Sequence, residues 1–169
     1  DRIVFPGQGA IGAAMHELQS RELVEVLKEQ VRKKPFLGLC LGLQALLTSS
    51  DEDNCTPGLD ILSGGAHHFK TLFEKNRVPA HLKIPHMGWN NLILQGEHAL
   101  TKDFDQDKLF YFLHSYYFEA KDNSHVLATA DYGFEYACIV GHKNIHGIQC
   151  HPEKSHHNGV TLLKNFASL

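Results

Sequence analysis

Two short stretches carry residues whose types and spacing could do chemistry. The first is Pro35 to Gln44, PFLGLCLGLQ, where Cys40 stands between Gly38 and Gly42 at the junction of two apolar runs. A cysteine at a strand end can simply pack, because the free thiol is among the most buried side chains. The pattern G-x-C-x-G between a buried strand and a helix is also the cysteine form of a nucleophile elbow. The turn there is sharp, and the flanking glycines let neighbouring backbone pass close to the nucleophile. Cys40 would sit at a helix N-terminus, where unpaired N–H groups and the helix dipole favour a thiolate. The N–H of Leu41 would face whatever oxygen becomes negative when the sulfur attacks a carbonyl.

A thiolate needs a proton acceptor, and that acceptor can lie far away in sequence. The second stretch, Gly147 to Ser155, reads GIQCHPEKS. A strand ends here in His151-Pro152-Glu153. Proline fixes φ and lacks an N–H, so it stiffens the corner between the two polar side chains. His151 could act as base and acid, with Glu153 holding the imidazole and stabilising its cation. Alone, the HPE tripeptide is weak evidence, since surface turns often carry such residues. Beside an elbow cysteine upstream it becomes strong evidence, since the nucleophile and base of a triad need only spatial adjacency. The neighbouring Cys150 should not compete, because strand alternation turns adjacent side chains to opposite faces. Cys55 and Cys138 read as packing residues, and the His156-His157 pair as solvated.

Several classes of protein are excluded by composition. Apolar residues make up 43% and charged residues 21% of 169 residues, which describes one ordinary globular domain. No apolar run approaches the ~20 residues of a membrane helix. The net charge is −3, with no basic cluster beyond Arg32-Lys33-Lys34, which argues against a nucleic-acid surface. Four cysteines without CxxC spacing read as reduced thiols in the cytoplasm. The thirteen histidines show no zinc-ligand spacing, so no metal is expected.

The elements that must position these residues follow from periodicity. Ile3 to Phe5 reads as a short strand closed by Pro6-Gly7. Ser20 is expected to cap a helix running to about Lys33, with Leu23, Val24, Leu27 and Val31 on one face. Pro35 to Cys40 is a strand buried on both faces, and a helix starts at Leu43 to Thr48. That alternation predicts α/β architecture with parallel central strands. Pro57 to Phe73, Ile84 to Leu94, Leu109 to Glu119, Val126 to Tyr132 and Ala137 to Val140 read as short strands. A turn at His142 to Asn144 leads into a strand over Ile145 to Cys150. Val160, Leu163 and Phe166 mark a C-terminal helix after Asn158-Gly159. A mixed sheet whose later strands are partly antiparallel fits this order.

GLCLGLQ followed by QCHPEKS resembles the class I, triad-type glutamine amidotransferases. Within that class, PGQGAIGAAM at Pro6 to Met15, PHMGWN at Pro85 to Asn90 and YFLHSYY at Tyr111 to Tyr117 are similar to the glutaminase subunits of imidazole glycerol phosphate synthases. The resemblance covers the whole chain. It implies a flavodoxin-like α/β fold with a mixed, mostly parallel sheet flanked by helices, and residues 1–169 forming a single amidotransferase domain. It also implies that a strand and helix precede Asp1 in the natural protein.

The family's roles carry over by position. Cys40, His151 and Glu153 match the triad, and the resemblance implies that sulfur and imidazole touch across a pocket shaped for a carboxamide. Backbone N–H groups of Gln8 or Gly9 would join Leu41 in the oxyanion hole. Gln44 would bind the amino-acid end of glutamine, and backbone at His114, Ser115 and Tyr116 would hold its carboxylate. Met87, Trp89, Tyr111 and Lys154 would face a (β/α)8-barrel cyclase that consumes the ammonia. No cofactor is implied. Gln8 departs from the apolar residue usual at its position. Three other functions stay open on sequence: the glutaminase of an anthranilate- or aminodeoxychorismate-type synthase, a stand-alone γ-glutamyl hydrolase, and a catalytically silent binding subunit.

Overall fold

Strand β2 (Phe36–Leu39) is buried on both faces, as an unbroken apolar run requires of a strand with neighbours on each side. Those neighbours are β1 (Ile3–Phe5) and β12 (Ile145–Ile148), both parallel to it. The computed structural model describes residues 1–76 and 81–169. The rest of the sheet spreads from β12. Its order is β1-β2-β12-β11-β9-β5-β3-β4, with β11 (Glu135–His142), β9 (Tyr116–Ala120), β5 (Leu62–His68), β3 (Leu47–Ser50) and β4 (Thr56–Pro57). β10 (Val126–Asp131) pairs with β11, and β7 (Ile93–Leu94) pairs with β10. β3 and β5 are parallel, while β12–β11, β11–β9 and β9–β5 are antiparallel. The sheet is mixed, as expected; its parallel pairs are β1–β2, β2–β12 and β3–β5, and among the described residues the antiparallel pairs are more numerous.

A separate two-stranded sheet, β6 (His86–Asn91) against β8 (Leu109–His114), pairs His86 with His114 and Trp89 with Tyr111. Ser115 separates β8 from β9, so the continuous strand expected from Leu109 to Glu119 is two strands in different sheets.

Five helices flank the strands among the described residues. α1 (Ile11–Ser20) was not expected, and Ser20 ends it rather than capping the next helix. The Ser20 hydroxyl donates to the Glu17 carbonyl at 3.1 Å. Ile11, Met15 and Leu18 recur at helical spacing and pack on Leu41, Ala45 and Leu59, which explains α1. α2 (Leu23–Gln30) follows after Glu22, whose φ of 56° breaks the path between the two helices. α3 (Leu41–Leu46) is only six residues long, and the helix expected through Thr48 gives way to β3. Leu46-Leu47 is apolar in either conformation, so periodicity cannot place that boundary. α4 (Phe69–Asn76) replaces the last part of the strand expected to Phe73. α5 (His156–Ser168) starts before Asn158-Gly159 and packs Leu162 and Phe166 into the core beside Ile148 and Cys150.

Candidate active site

Cys40 alone makes the turn between β2 and α3, at φ 50° and ψ −102°. Such a backbone is strained for a residue with a side chain and persists only where its surroundings hold it. Two backbone hydrogen bonds do so: Cys40 N–H donates to the Ile148 carbonyl at 2.7 Å, and Gln44 N–H to the Cys40 carbonyl at 3.1 Å. The flanking glycines are required by contact. A Cβ on Gly38 would lie 2.6 Å from the Gly42 carbonyl group, and one on Gly42 would overlap the Phe5 carbonyl oxygen. The elbow therefore exists because β1, β2 and α3 approach at backbone distance.

Burial pushes the Cys40 thiol up to about 11, and the charges of Glu153 and Glu52 act in the same direction. Hydrogen bonds from Leu41 N–H and from the Gln149 amide oppose this but do not outweigh it. Gln149 Nε2 lies 3.6 Å from the sulfur. The thiolate expected from the helix dipole is thus not the resting form. α3 is short, and removal from water dominates.

His151 is buried and fixed through its backbone: its N–H donates to the Tyr111 carbonyl at 2.8 Å, and its carbonyl accepts from Ser155 Oγ at 2.6 Å. Ser155 Oγ in turn accepts from Tyr111 N–H at 2.9 Å, so β8 and the HPEK turn are clasped together. The ring's Nδ1 is 2.8 Å from Glu153 Oε1. A carboxylate only accepts, so Nδ1 carries a hydrogen, and in the neutral ring the lone pair is on Nε2. That Nε2 is buried and has no hydrogen-bond partner among the described residues. Among the described residues no hydrogen bond joins the Cys40 thiol to the His151 imidazole. The sulfur instead receives Leu41 N–H and the Gln149 amide, and His151 lines the cavity beside it.

That space is a cavity of about 350 Å³ lined by Cys40, His151, Gln149, Gln8, Gly9, Gln44, Glu52 and the His114–Tyr116 segment, together with Pro85 and Leu113. The oxyanion and substrate positions expected from sequence thus gather around one cavity, with Leu41 present through its N–H to sulfur. Gly9 has φ 108°, a conformation that favours glycine. Gln44 Nε2 donates to Ser50 Oγ at 2.7 Å and to Glu52 Oε2 at 2.9 Å. Glu52 Oε2 also accepts from Ile11 N–H at 3.1 Å. Both hydrogens of the Gln44 amide are therefore engaged, which leaves its carbonyl and the Glu52 carboxylate as acceptors at this end.

A second cavity of about 380 Å³ meets the same pair from another side, lined by Pro6, Gly7, Gln8, Leu39, Cys40, His151 and Glu153. Cys40 and His151 border both spaces.

Outside the cavities, the β6–β8 sheet presents a mixed apolar face. Alternation along β6 turns His86 inward and Met87 and Trp89 outward, with Met87 64% and Trp89 45% exposed. Trp89 meets Tyr111 edge-on at 5.8 Å, and Lys154 Nζ sits 5.7 Å above the Tyr111 ring. The four residues expected to face a partner are therefore contiguous. His156 is exposed, as expected, and stacks on Trp89 at 5.0 Å.

Sequence reasoning missed Glu52 and Gln149. Glu52 lies in a polar run, SSDEDN, whose return to the elbow depends on the early end of α3. Gln149 stands two residues before His151, so the alternation that turns Cys150 away would have placed it beside His151. Cys55 is exposed rather than packed, while Cys138 and Cys150 are buried. No group of three or more His, Cys, Asp or Glu among the described residues could hold a metal ion. No helix among them is long and apolar enough to cross a membrane.

Comparison with known proteins identifies the family. The family model for glutamine amidotransferase class-I matches residues 1–168. A glutamine amidotransferase structure from Thermotoga maritima superposes with a TM-score of 0.62 at 14% identity, covering 98% of this chain and 61% of that one; the likeness is one of fold. Imidazole glycerol phosphate synthase subunit HisH of Acinetobacter baylyi is 43% identical over 167 residues, 98% of this chain and 78% of that protein. The subunit of the same name from Neisseria meningitidis serogroup B is 43% identical over 98% of this chain and 77% of its own length. The chain belongs to the class I glutamine amidotransferases and, within them, to the family of imidazole glycerol phosphate synthase subunit HisH.

Proposed function

We propose that this chain is the glutaminase subunit of an imidazole glycerol phosphate synthase, using Cys40, His151 and Glu153 to release ammonia from glutamine for histidine biosynthesis. The observation that carries the catalytic reading is that the elbow thiol of Cys40 and His151, whose buried Nε2 has no hydrogen-bond partner among the described residues, line one cavity.

The chemistry follows from the protonation states. Cys40 Sγ bonds to the side-chain carbonyl carbon of glutamine as its proton passes to His151 Nε2. The carbonyl electrons move to oxygen, where Leu41 N–H and a backbone N–H from Gln8 or Gly9 receive the charge. Glu153 stabilises the imidazolium through Nδ1. As the C–N bond breaks, His151 returns the proton to nitrogen, and ammonia leaves behind a γ-glutamyl thioester. His151 then takes a proton from water, the hydroxide adds to the thioester carbon, and Cys40 departs to be reprotonated. A thiol held up at about 11 must lose its proton to His151 during attack, which makes that lone pair indispensable.

Gln44 and Glu52 suit the ammonium of the substrate, and backbone at His114, Ser115 and Tyr116 its carboxylate. The second cavity, which also borders Cys40 and His151, suits departing ammonia, which is lost to protonation if it reaches bulk water. Met87, Trp89, Tyr111 and Lys154 form the face for the partner subunit, read as a (β/α)8-barrel cyclase. Four free cysteines fit a cytoplasmic setting.

Glutamine hydrolysis is measured with this chain alone, with the partner subunit, and with the partner and its nucleotide ligand. Strong stimulation only in the full mixture is expected. Equal activity without the partner would refute the synthase reading, and chorismate-dependent turnover with another synthase would replace it.

A further inference from the structure

Behind the substrate cavity lies a buried polar chain that the catalytic steps do not use. We propose that the Tyr136 hydroxyl is a positioning residue for glutamine binding, joining His86 of β6 to His114 of β8 and, through His114, fixing the Tyr116 peptide at the cavity wall. This rests on the glutaminase reading for its substrate, but the hydrogen-bond order stands by itself.

All three side chains are buried. Tyr136 Oη lies 3.0 Å from His86 Nδ1 and 3.2 Å from His114 Nε2, while His114 Nδ1 lies 2.7 Å from the Tyr116 carbonyl oxygen. These contacts admit one arrangement of hydrogens. A carbonyl only accepts, so His114 Nδ1 carries the hydrogen. Burial pushes His114 down to about 3 and His86 to about 4, so both rings are neutral at ordinary pH. His114 Nε2 is then a bare acceptor, and the Tyr136 O–H must donate to it. Tyr136 Oη in turn accepts from His86 Nδ1–H. Both histidines are thereby held in the Nδ1–H tautomer, whichever form each would prefer in water.

The donor at the start of the chain is locked by packing. The His86 ring is sandwiched between Tyr132 at 3.9 Å and Phe112 at 4.9 Å, with interplanar angles of 17° and 14°. At the other end, the Ser115 carbonyl accepts from Phe69 N–H at 3.0 Å, so two successive peptides of the cavity wall are held by their oxygens. Because the peptide is planar and trans, fixing a carbonyl also fixes the N–H across the same bond. That segment faces the amino-acid end of glutamine, remote from the carboxamide. Its loss should weaken substrate and transition state alike.

The test pairs kinetics with NMR on the full chain in complex with its partner. Tyr136→Phe is expected to raise KM for glutamine about tenfold while kcat stays within about twofold. ¹⁵N NMR of the unsubstituted protein is expected to show His86 and His114 as neutral Nδ1–H tautomers, a readout that does not depend on the variant folding. A Tyr136→Phe enzyme with unchanged KM, or with kcat reduced instead, would overturn the proposal even if its melting temperature fell. An Nε2–H tautomer at His114 would overturn it as well. Absence of glutamine hydrolysis in the unsubstituted complex would refute the glutaminase reading, and the tautomers would then decide the hydrogen-bond chain alone.

Discussion

Two cysteines stand at the ends of two adjacent parallel strands. β2 delivers Cys40 and β12 leads to Cys150, with Leu39 and Ile148 paired in register. Burial raises both thiols above the ordinary cysteine value. Yet Cys40 borders two cavities, and Cys150 is wholly enclosed among core side chains such as Leu162 and Phe166. The difference lies in the backbone. At φ 50° the elbow throws Cys40 out of the strand's alternation, whereas alternation beyond β12 sends Gln149 to the cavity and Cys150 to the core. Position on the chain path, not thiol acidity, sets which of the two sulfurs reaches a cavity.

Alanine substitution at the two positions should separate them most widely. Cys40→Ala is expected to lower glutamine-dependent turnover by roughly a thousandfold or more. Cys150→Ala is expected to leave turnover within about threefold and to lower unfolding stability by about 1–2 kcal/mol, the loss of a small buried side chain. Steady-state kinetics and denaturant titration on both variants check this. A reversed pattern would end the comparison.

The same contrast marks how far the sequence could be read. The turn at Cys40 and the His151–Glu153 pair were legible because an elbow and a proline-stiffened corner are local devices with local residue requirements. Glycines at 38 and 42 announce close backbone approach before any partner is known. Alternation correctly turned Cys150 away. Glu52 was not legible, since its place depends on α3 stopping after six residues, and Leu46-Leu47 suits helix and strand equally. Nor was α1, whose buried stripe begins in a glycine- and alanine-rich segment. The donors to the Cys40 sulfur also lay beyond reach, because no residue pattern encodes which N–H a sulfur takes.

A smaller effect sharpens the account of Cys40. With the thiol favoured up to about 11, its alkylation by iodoacetamide should climb about tenfold per pH unit between about pH 7 and 10, as the thiolate fraction rises. Gln149→Leu removes a donor to the sulfur and should slow alkylation at a given pH and lower kcat/KM about tenfold. Peptide mapping of the alkylated protein distinguishes Cys40 from the exposed Cys55. A Cys40 rate that is flat across that range would mean a resting thiolate.

The most direct measurement uses a glutamine analogue with an electrophilic carbon in place of the carboxamide, followed by mass mapping of the labelled complex. A single adduct on the peptide bearing Cys40, prevented by excess glutamine and by Cys40→Ala, is the predicted result. Labelling that falls on another cysteine, or that glutamine fails to block, would contradict the assignment of Cys40 as the residue that takes up the γ-glutamyl group.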